Sequence, residues 1–214
     1  MAGGVAGVGV AGVPAAVAGV GAAVAGAVVA AAPAVAVPQG AGDMKLTRIL
    51  KHLLAPHWLA RRAFPARTMQ AIEAAVANAE RLHVGELRFV VEAGLPLSDL
   101  WRDIAARERA VDVFSLLRVW DTWHNSGVLI YVQLIDRRVE IVADRGISAK
   151  VDQSSWDAVC RGMEQAFSIG AYAQGSLEAV ERVGKLLAMN FPTGLEDPSA
   201  SVNPNELPDR PLVL

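Results

Sequence analysis

The stretch "GVLIYVQLIDRRVEIVADRG", residues 127–146, contains two apolar runs separated by a short charged segment. The first run, Val128–Ile135, is almost continuously apolar, which is typical of a strand covered on both faces of a sheet. A second strand is predicted at about 138–144. Because the charged segment between the runs is short, the two strands are predicted to form an antiparallel hairpin.

The flanking sequence predicts one more strand and a set of helices. Apolar and other side chains alternate at 86–92, as expected of a strand. Helical spacing of apolar residues predicts helices at about 44–54, 65–82, 98–109, 111–123, 154–167 and 176–191. The predicted serine N-caps are Ser98, Ser154 or Ser155, and Ser176. This order predicts an α/β fold, a three-layer-like α/β/α sandwich with a small central mixed sheet and a hairpin of strands 2 and 3.

Residues 44–64 form a basic, amphipathic arm. Between 44 and 62 there are five Lys and Arg residues and no acid, and leucines occur at helical spacing. Such a helix could lie on an anionic membrane surface, with residues 45–62 making the contact. Alternatively, its apolar stripe packs on the domain and its Lys and Arg residues are merely solvated. The second interpretation is favoured, because most amphipathic helices bury their stripe in their own protein.

Residues 1–43 are almost entirely Ala, Gly and Val, and the first 42 carry no charge. Their "GVGVAG" segment has the spacing of a dinucleotide fingerprint but lacks the acidic residue that should follow about 20 positions later. Three interpretations stay open: translation upstream of a true start at Met44 in a GC-rich genome, which is favoured, a membrane or export segment, or a disordered tail. A cytoplasmic protein is expected, at most peripheral at the inner membrane, and exported or anchored only if residues 1–43 act as a targeting segment.

Two further boundaries complete the predicted organisation. The main domain is expected at 65–192, and the proline-rich tail at 193–214 is expected to be extended and without regular structure. The formal net charge of −2 gives no indication of nucleic-acid binding. The single cysteine, Cys160, excludes an intrachain disulfide, and its helical neighbours predict a core residue rather than a nucleophile.

Polar side chains collect at one end of the predicted hairpin. A tight turn sets Asp144 across from Leu129, which brings "ADRG" beside "DTWHNSG". The residues expected to converge there are Asp121, Thr122, His124, Asn125, Asp144 and Arg145. Carboxylate and amide oxygens are suited to Ca²⁺ or Mg²⁺, and an arginine to phosphate. The alternative is a helix end beside an Asp–Arg pair that closes the hairpin.

The segments "VFSLLRVWDTWHNSGVLIYVQLIDRRVEIVADRGI" and "WDAVCRGMEQAFSIGAYAQGSLEAVERVGKLLAMNFP" resemble the TPM domain family, also called the repair family, over about residues 65–192. The likeness is to its short bacterial branch, whose chains start with a line similar to the one at Met44. The chain departs from the family pattern at Trp123 and Ser126.

The resemblance implies an α/β/α fold, a phosphatase activity and bound divalent cations, Ca²⁺ or Mg²⁺. Carried onto this chain, it implies Asp121, Asn125 and Asp144 as metal ligands and Arg145 as a catalytic residue. It also implies a membrane-anchored TPM relative as a partner.

Two functions are therefore carried forward. One is a divalent-cation-dependent phosphatase acting on phosphate monoesters. The other is a non-catalytic binding or accessory module of a membrane-associated complex, with no nucleic-acid partner. The second is favoured, because no nucleophile or general base is evident beside the predicted cation ligands.

Overall fold

The computed structural model describes residues 41–54, 58–193 and 205–214. The expectations for residues 1–40 lie outside the described residues. The described elements, in chain order, are α1 (Ala41–Leu53), α2 (Trp58–Ala63), α3 (Ala66–Glu80), β1 (Glu86–Glu92), α4 (Leu97–Arg102), α5 (Ala106–Leu116), β2 (Gly127–Gln133), β3 (Arg138–Ala143), α6 (Arg145–Ser148), α7 (Gln153–Ser168), α8 (Tyr172–Asn190) and β4 (Leu212–Val213). None of the described helices combines the length and the apolarity needed to cross a bilayer.

The strands form one four-stranded sheet in the order β3-β2-β1-β4. β2 and β3 pair antiparallel, which confirms the predicted hairpin, whereas β1 pairs parallel with both β2 and β4. The sheet is therefore small and mixed, as predicted.

Helices cover both faces of the sheet, which confirms the three-layer α/β/α architecture. Because successive strand residues point to opposite faces, Val128, Ile130 and Val132 of β2 face the core beneath α3, α7 and α8. Leu129 and Tyr131 face the core beneath α5. Every residue of β2 is buried, which explains its near-continuous apolar sequence. Each fully buried large aliphatic side chain contributes about 1.5–3 kcal/mol.

The two helices before β2 are shorter than the predicted 98–109 and 111–123, and this prediction was wrong. α4 ends at Arg102 because Asp103 adopts a left-handed conformation, with φ 55°, and α5 ends at Leu116 shortly before Arg118, with φ 52°. The apolar periodicity runs on across both breaks, so it concealed them. Trp101, in the last turn of α4, is 73% exposed.

The predicted serine N-caps were also wrong. α4 begins after Pro96 and α7 after Asp152, so each serine lies inside its helix. Ser176 is fully buried within α8, next to Gly175, whose missing Cβ leaves space for Ala166 of α7. The missing Cβ of Gly175 lets α7 and α8 approach closely, and Ser176 lies inside α8 rather than at its N-cap.

The C-terminal tail was predicted to lack regular structure, yet its last residues form β4. Leu212 pairs with Val90 and Val213 with Val91, and the Leu214 N–H donates to the Val91 carbonyl at 2.9 Å. The tail is also held by the buried Glu86 carboxylate, which accepts from the Leu207 N–H at 3.0 Å. The proline-rich composition conceals this strand in the sequence.

A buried ion pair fixes α5 against the carboxyl end of β1. Arg109 donates from Nε and Nη2 to the two Glu92 carboxylate oxygens at 3.0 and 2.6 Å, and its Nη1 lies 3.3 Å from Asp99. The Tyr131 hydroxyl donates to the same carboxylate. The Glu92 hydrogen bonds raise the pKa of Arg109, and burial together with the Glu92 charge raises the pKa of Tyr131. This network sets the position of α5 over β2.

Candidate functional site

The register between β2 and β3 differs from the predicted one. The prediction set Asp144 across from Leu129, but the structure pairs Leu129 with Val142 and Val128 with Ala143. The connection is a four-residue turn at 134–137, with Arg137 at φ 53°, rather than a tighter one. Asp144 therefore follows the last strand pair, and its N–H donates to the Gly127 carbonyl at 2.9 Å.

The structure nevertheless brings Asn125, Asp144 and Arg145 together. Arg145 donates from Nε and Nη2 to the Asn125 Oδ1 at 3.0 and 2.8 Å, and Asp144 Oδ1 accepts from the Arg145 N–H at 2.7 Å as the N-cap of α6. Gly146 lets the backbones meet, since a Cβ there would lie 2.7 Å from the carbonyl oxygens of His124 and Asn125. The left-handed Asn125, with φ 50°, turns its carbonyl towards the Gly146 N–H.

The other predicted residues take different positions. Thr122 is buried, and its hydroxyl accepts from the Ser126 N–H at 2.9 Å, so it shapes the loop. Asp121 and His124 are exposed, and the described residues include no hydrogen bond or ion pair between either of them and Asp144 or Arg145. The convergence is therefore smaller than predicted.

This arrangement offers little to a divalent cation. The Asn125 carboxamide oxygen already accepts two hydrogen bonds from the cationic Arg145, and Asp144 Oδ1 caps α6. Within this cluster, Asp144 Oδ2 is the side-chain oxygen that is buried without a hydrogen-bond partner among the described residues. No group of three or more His, Cys, Asp or Glu side chains in the described part of the chain is arranged to hold a metal. The residues present do not fit Ca²⁺ or Mg²⁺, which take six or more oxygen ligands.

We expect Ca²⁺ or Mg²⁺ at millimolar concentration to leave the melting temperature of the full chain within about 1 °C of its value in chelator, because one uncommitted oxygen binds hard cations weakly. Asp144→Asn should respond in the same way, which differential scanning calorimetry can check. A cation-induced rise of several degrees that disappears in Asp144→Asn would establish the site and make Asp144 a ligand.

The catalytic role of Arg145 stays a prediction. Its guanidinium is exposed, and among the described residues Asn125 is the hydrogen-bond partner found for it. Cys160 is no substitute nucleophile, because burial raises the pKa of its thiol to about 12. The expectation that Cys160 packs in the core is consistent with its contact with the main apolar cluster.

A second set of polar contacts, absent from the predictions, joins α1 to the turn between β2 and β3. Arg48 donates from Nε and Nη2 to Asp136 Oδ2 at 3.0 and 2.8 Å, and from Nη1 to Asp103 Oδ1 at 2.9 Å. The His52 ring accepts from the Leu95 N–H at Nδ1, 3.0 Å away, so its Nε2 carries the hydrogen that faces Asp136 at 3.1 Å.

The contact of Asp136 with Arg48 and His52 keeps the Asp136 carboxylate ionised. Burial alone would raise the pKa of Asp136, but hydrogen bonds from His52 and Arg48 lower it to about 2. Asp136 is therefore ionised at any physiological pH and keeps α1 in place. The sequence carried a signal for this, since Arg48 and His52 are four residues apart and share one helix face.

The docking of α1 leaves its leucines uncovered. Leu46, Leu50, Leu53 and Leu54 are 54–70% exposed. Trp58 in α2 and Trp101 in α4, the helix that packs beside α1, are also exposed. The favoured interpretation, in which the apolar stripe packs on the domain, was wrong, because Arg48 and His52 pack on the domain and the leucines stay exposed. The membrane-surface interpretation stays a prediction. We call the four leucines with Trp58 the α1 leucine face.

Comparison with known proteins places this geometry in a family. The TPM domain family model matches residues 61–186. The solution NMR structure of the BA42 protein from the psychrophilic bacterium Bizionia argentinensis is 30% identical and superposes with a TM-score of 0.60, covering 71% of this chain and 95% of that one. No curated protein matches the chain. A family match over more than half of the sequence, together with a shared α/β/α fold, shows that this chain belongs to the TPM domain family.

Proposed function

We propose that this protein is a non-catalytic TPM module that attaches to an anionic membrane surface through the α1 leucine face. The observation that carries the proposal is the orientation of α1, whose hydrogen-bonded polar side faces the domain while its leucines face outward. An apolar helix face that a protein fixes in place and leaves uncovered indicates an interaction surface.

Helical geometry supports this assignment. At about 3.6 residues per turn, Leu46, Leu50 and Leu53 lie on nearly the opposite side of α1 from Arg48 and His52. The contacts to Asp136 therefore hold the leucines pointing away from the sheet. A helix of this kind can insert its apolar face roughly 5–10 Å into the boundary between headgroups and acyl chains.

Charge complementarity selects an anionic lipid surface as the occupant. Lys51 on α1 and Arg61 and Arg62 on α2 are exposed, and residues 44–62 contain no acidic side chain. Trp58 adds an amphipathic ring of the kind enriched at membrane interfaces. A soluble protein partner would require the same leucines but would not by itself account for the absence of acidic side chains from residues 44–62.

We expect the full chain to cosediment with vesicles containing phosphatidylglycerol and much less with vesicles of phosphatidylcholine. Replacing Lys51, Arg61 and Arg62 with Gln should weaken binding about a hundredfold at low salt, since each basic residue near an anionic surface contributes about 1 kcal/mol. Leu50→Ser with Leu53→Ser should weaken it on both kinds of vesicle. Arg48 is left intact, because its loss would detach α1 from Asp136.

A matched control carries Gln at Arg81, Arg161 and Arg182, which are exposed elsewhere and change the net charge equally. This variant should bind as the unmodified chain does. Absence of vesicle binding by the unmodified chain, or binding that ignores the leucine replacements, would contradict the proposal. In that case, the next partner to test for binding to the α1 leucine face is a membrane-anchored TPM relative.

A further inference from the structure

A cleft of about 550 Å³ lies beneath the start of α5, beside the β2–β3 turn, and we call it the Gln133 cleft. Its floor is formed by Gln133, Arg138 and Glu140, and Arg107 at the start of α5 lies above them. The strand register accounts for the floor. Gln133 pairs with Arg138, and Glu140 lies two residues further along β3, so all three belong to the same face of the sheet.

The side chain of Gln133 is fully buried, yet neither its amide nitrogen nor its carbonyl oxygen has a hydrogen-bond partner among the described residues. Buried carboxamides are almost always hydrogen-bonded, because an unpaired donor or acceptor is destabilising. The polar neighbours are committed elsewhere, since Tyr131 and Arg109 both bond to Glu92. A group that enters the cleft would be the partner that Gln133 lacks.

The two guanidinium groups that line the cleft have donors to spare. Arg107 Nη1 donates to the Ile141 carbonyl, which leaves its other N–H groups, and it comes no closer than 3.8 Å to Glu140. Arg138 approaches Glu164 only to 3.9 Å, which is also beyond hydrogen-bond distance. The N-terminus of α5 also lies at this cleft, and the backbone N–H groups of a helix N-terminus favour an anion. The third arginine, Arg48, is already saturated by Asp136 and Asp103, so it forms a fixed side wall.

We propose that the Gln133 cleft binds a small polar ligand through an oxyanion, a carboxylate or a phosphate group. Arg107 and Arg138 would hold the oxyanion by charge-assisted hydrogen bonds. Gln133 supplies one donor and one acceptor at the bottom of the cleft. Glu140, the carboxylate on the floor, selects ligands that carry a hydroxyl or ammonium donor beside the oxyanion. This site uses no residue of the α1 leucine face, so ligand binding in the cleft can be tested independently of membrane attachment.

The experiment is an NMR titration of the full ¹⁵N-labelled chain that follows the Gln133 side-chain amide and the Nε–H signals of Arg107 and Arg138. Lactate is the carboxylate probe and glycerol 3-phosphate is the phosphate probe, each against sodium chloride at equal ionic strength. We expect a saturable shift of all three groups with one probe, and the probe that saturates identifies the oxyanion. Arg107→Gln and Arg138→Gln should each weaken binding at least tenfold.

Gln133→Leu removes the carboxamide at similar volume, and it should abolish the saturable shift of the two arginines without lowering the melting temperature. If Gln133→Leu does not fold, the two arginine variants alone test oxyanion binding in the Gln133 cleft. Arg182→Gln, an exposed arginine on α8, is the control and should bind normally. The proposal is overturned if neither probe gives a saturable shift, if chloride produces the same shift, or if both arginine variants bind as tightly as the unmodified chain.

Discussion

Gly127→Ala should prevent the protein from reaching its native fold. A Cβ at this position would lie 2.9 Å from the Val119 carbonyl carbon and closer still to its oxygen. The clash is with backbone rather than with a flexible side chain, so relief requires the loop after α5 to move away from the start of β2. Both segments are buried, and we expect a loss of about 4 kcal/mol or more in the free energy of unfolding. Urea denaturation followed by circular dichroism should show no cooperative unfolding transition at the urea concentration where the unmodified chain unfolds.

Gly162→Ala is the matched control for this change. Gly162 lies inside α7, and the nearest atom to an added Cβ is Arg182 Nη1 at 3.5 Å, an ordinary contact. The same substitution should therefore raise the free energy of unfolding by about 0.5–1 kcal/mol, as expected for alanine in a helix interior. Equal effects of the two replacements would mean that the approach of Val119 to Gly127 is not as close as described.

Arg109→Met should cost about 3–5 kcal/mol of unfolding free energy at neutral pH, because it leaves the Glu92 carboxylate buried without its cationic partner. Glu92 is 2% exposed, and Arg109 supplies two of its hydrogen bonds. Methionine keeps most of the apolar volume of the side chain, so the loss reports the charge and its hydrogen bonds. Urea denaturation followed by tryptophan fluorescence measures it.

The double variant Arg109→Met with Glu92→Gln should recover more than half of that loss, since no buried charge remains unpaired. A loss unrelieved by Glu92→Gln would assign the effect of Arg109 to packing alone.

The strands, the hairpin and the layers were predictable because they depend on local periodicity. The continuous apolar run of β2, short and bounded by polar segments, is typical of a strand covered on both sides. The breaks at Asp103 and Arg118 were not predictable, since both residues are left-handed without being glycine. The hairpin register depended on the turn at 134–137, and an error in the turn shifted every opposing pair.

The contacts at the candidate sites also include some that the sequence could predict and some that it could not. The meeting of Asn125 with Arg145 followed from the hairpin, because the residues before β2 and after β3 must share one end of the sheet. The docking of α1 depends on Asp136 and Leu95, which are more than 40 residues away from His52 along the chain. Nothing local distinguishes a basic face that meets solvent from one that meets a distant carboxylate. Gln133 looked like one polar residue in an apolar strand, and only its burial without a partner distinguishes it.

The pairing of β4 with β1 bears on how the sheet is completed during synthesis. Val90 and its partner Leu212 are separated by more than 120 residues, so the ribosome delivers β1 long before the strand that covers its outer edge. Until then β1 pairs on one side only, with an open row of backbone groups that could recruit a strand from another nascent chain. Closing so long a loop for a strand of two residues is entropically unfavourable. The anchoring of Leu207 by Glu86 shortens the remaining search, because it delivers the end of the chain next to the edge it must close.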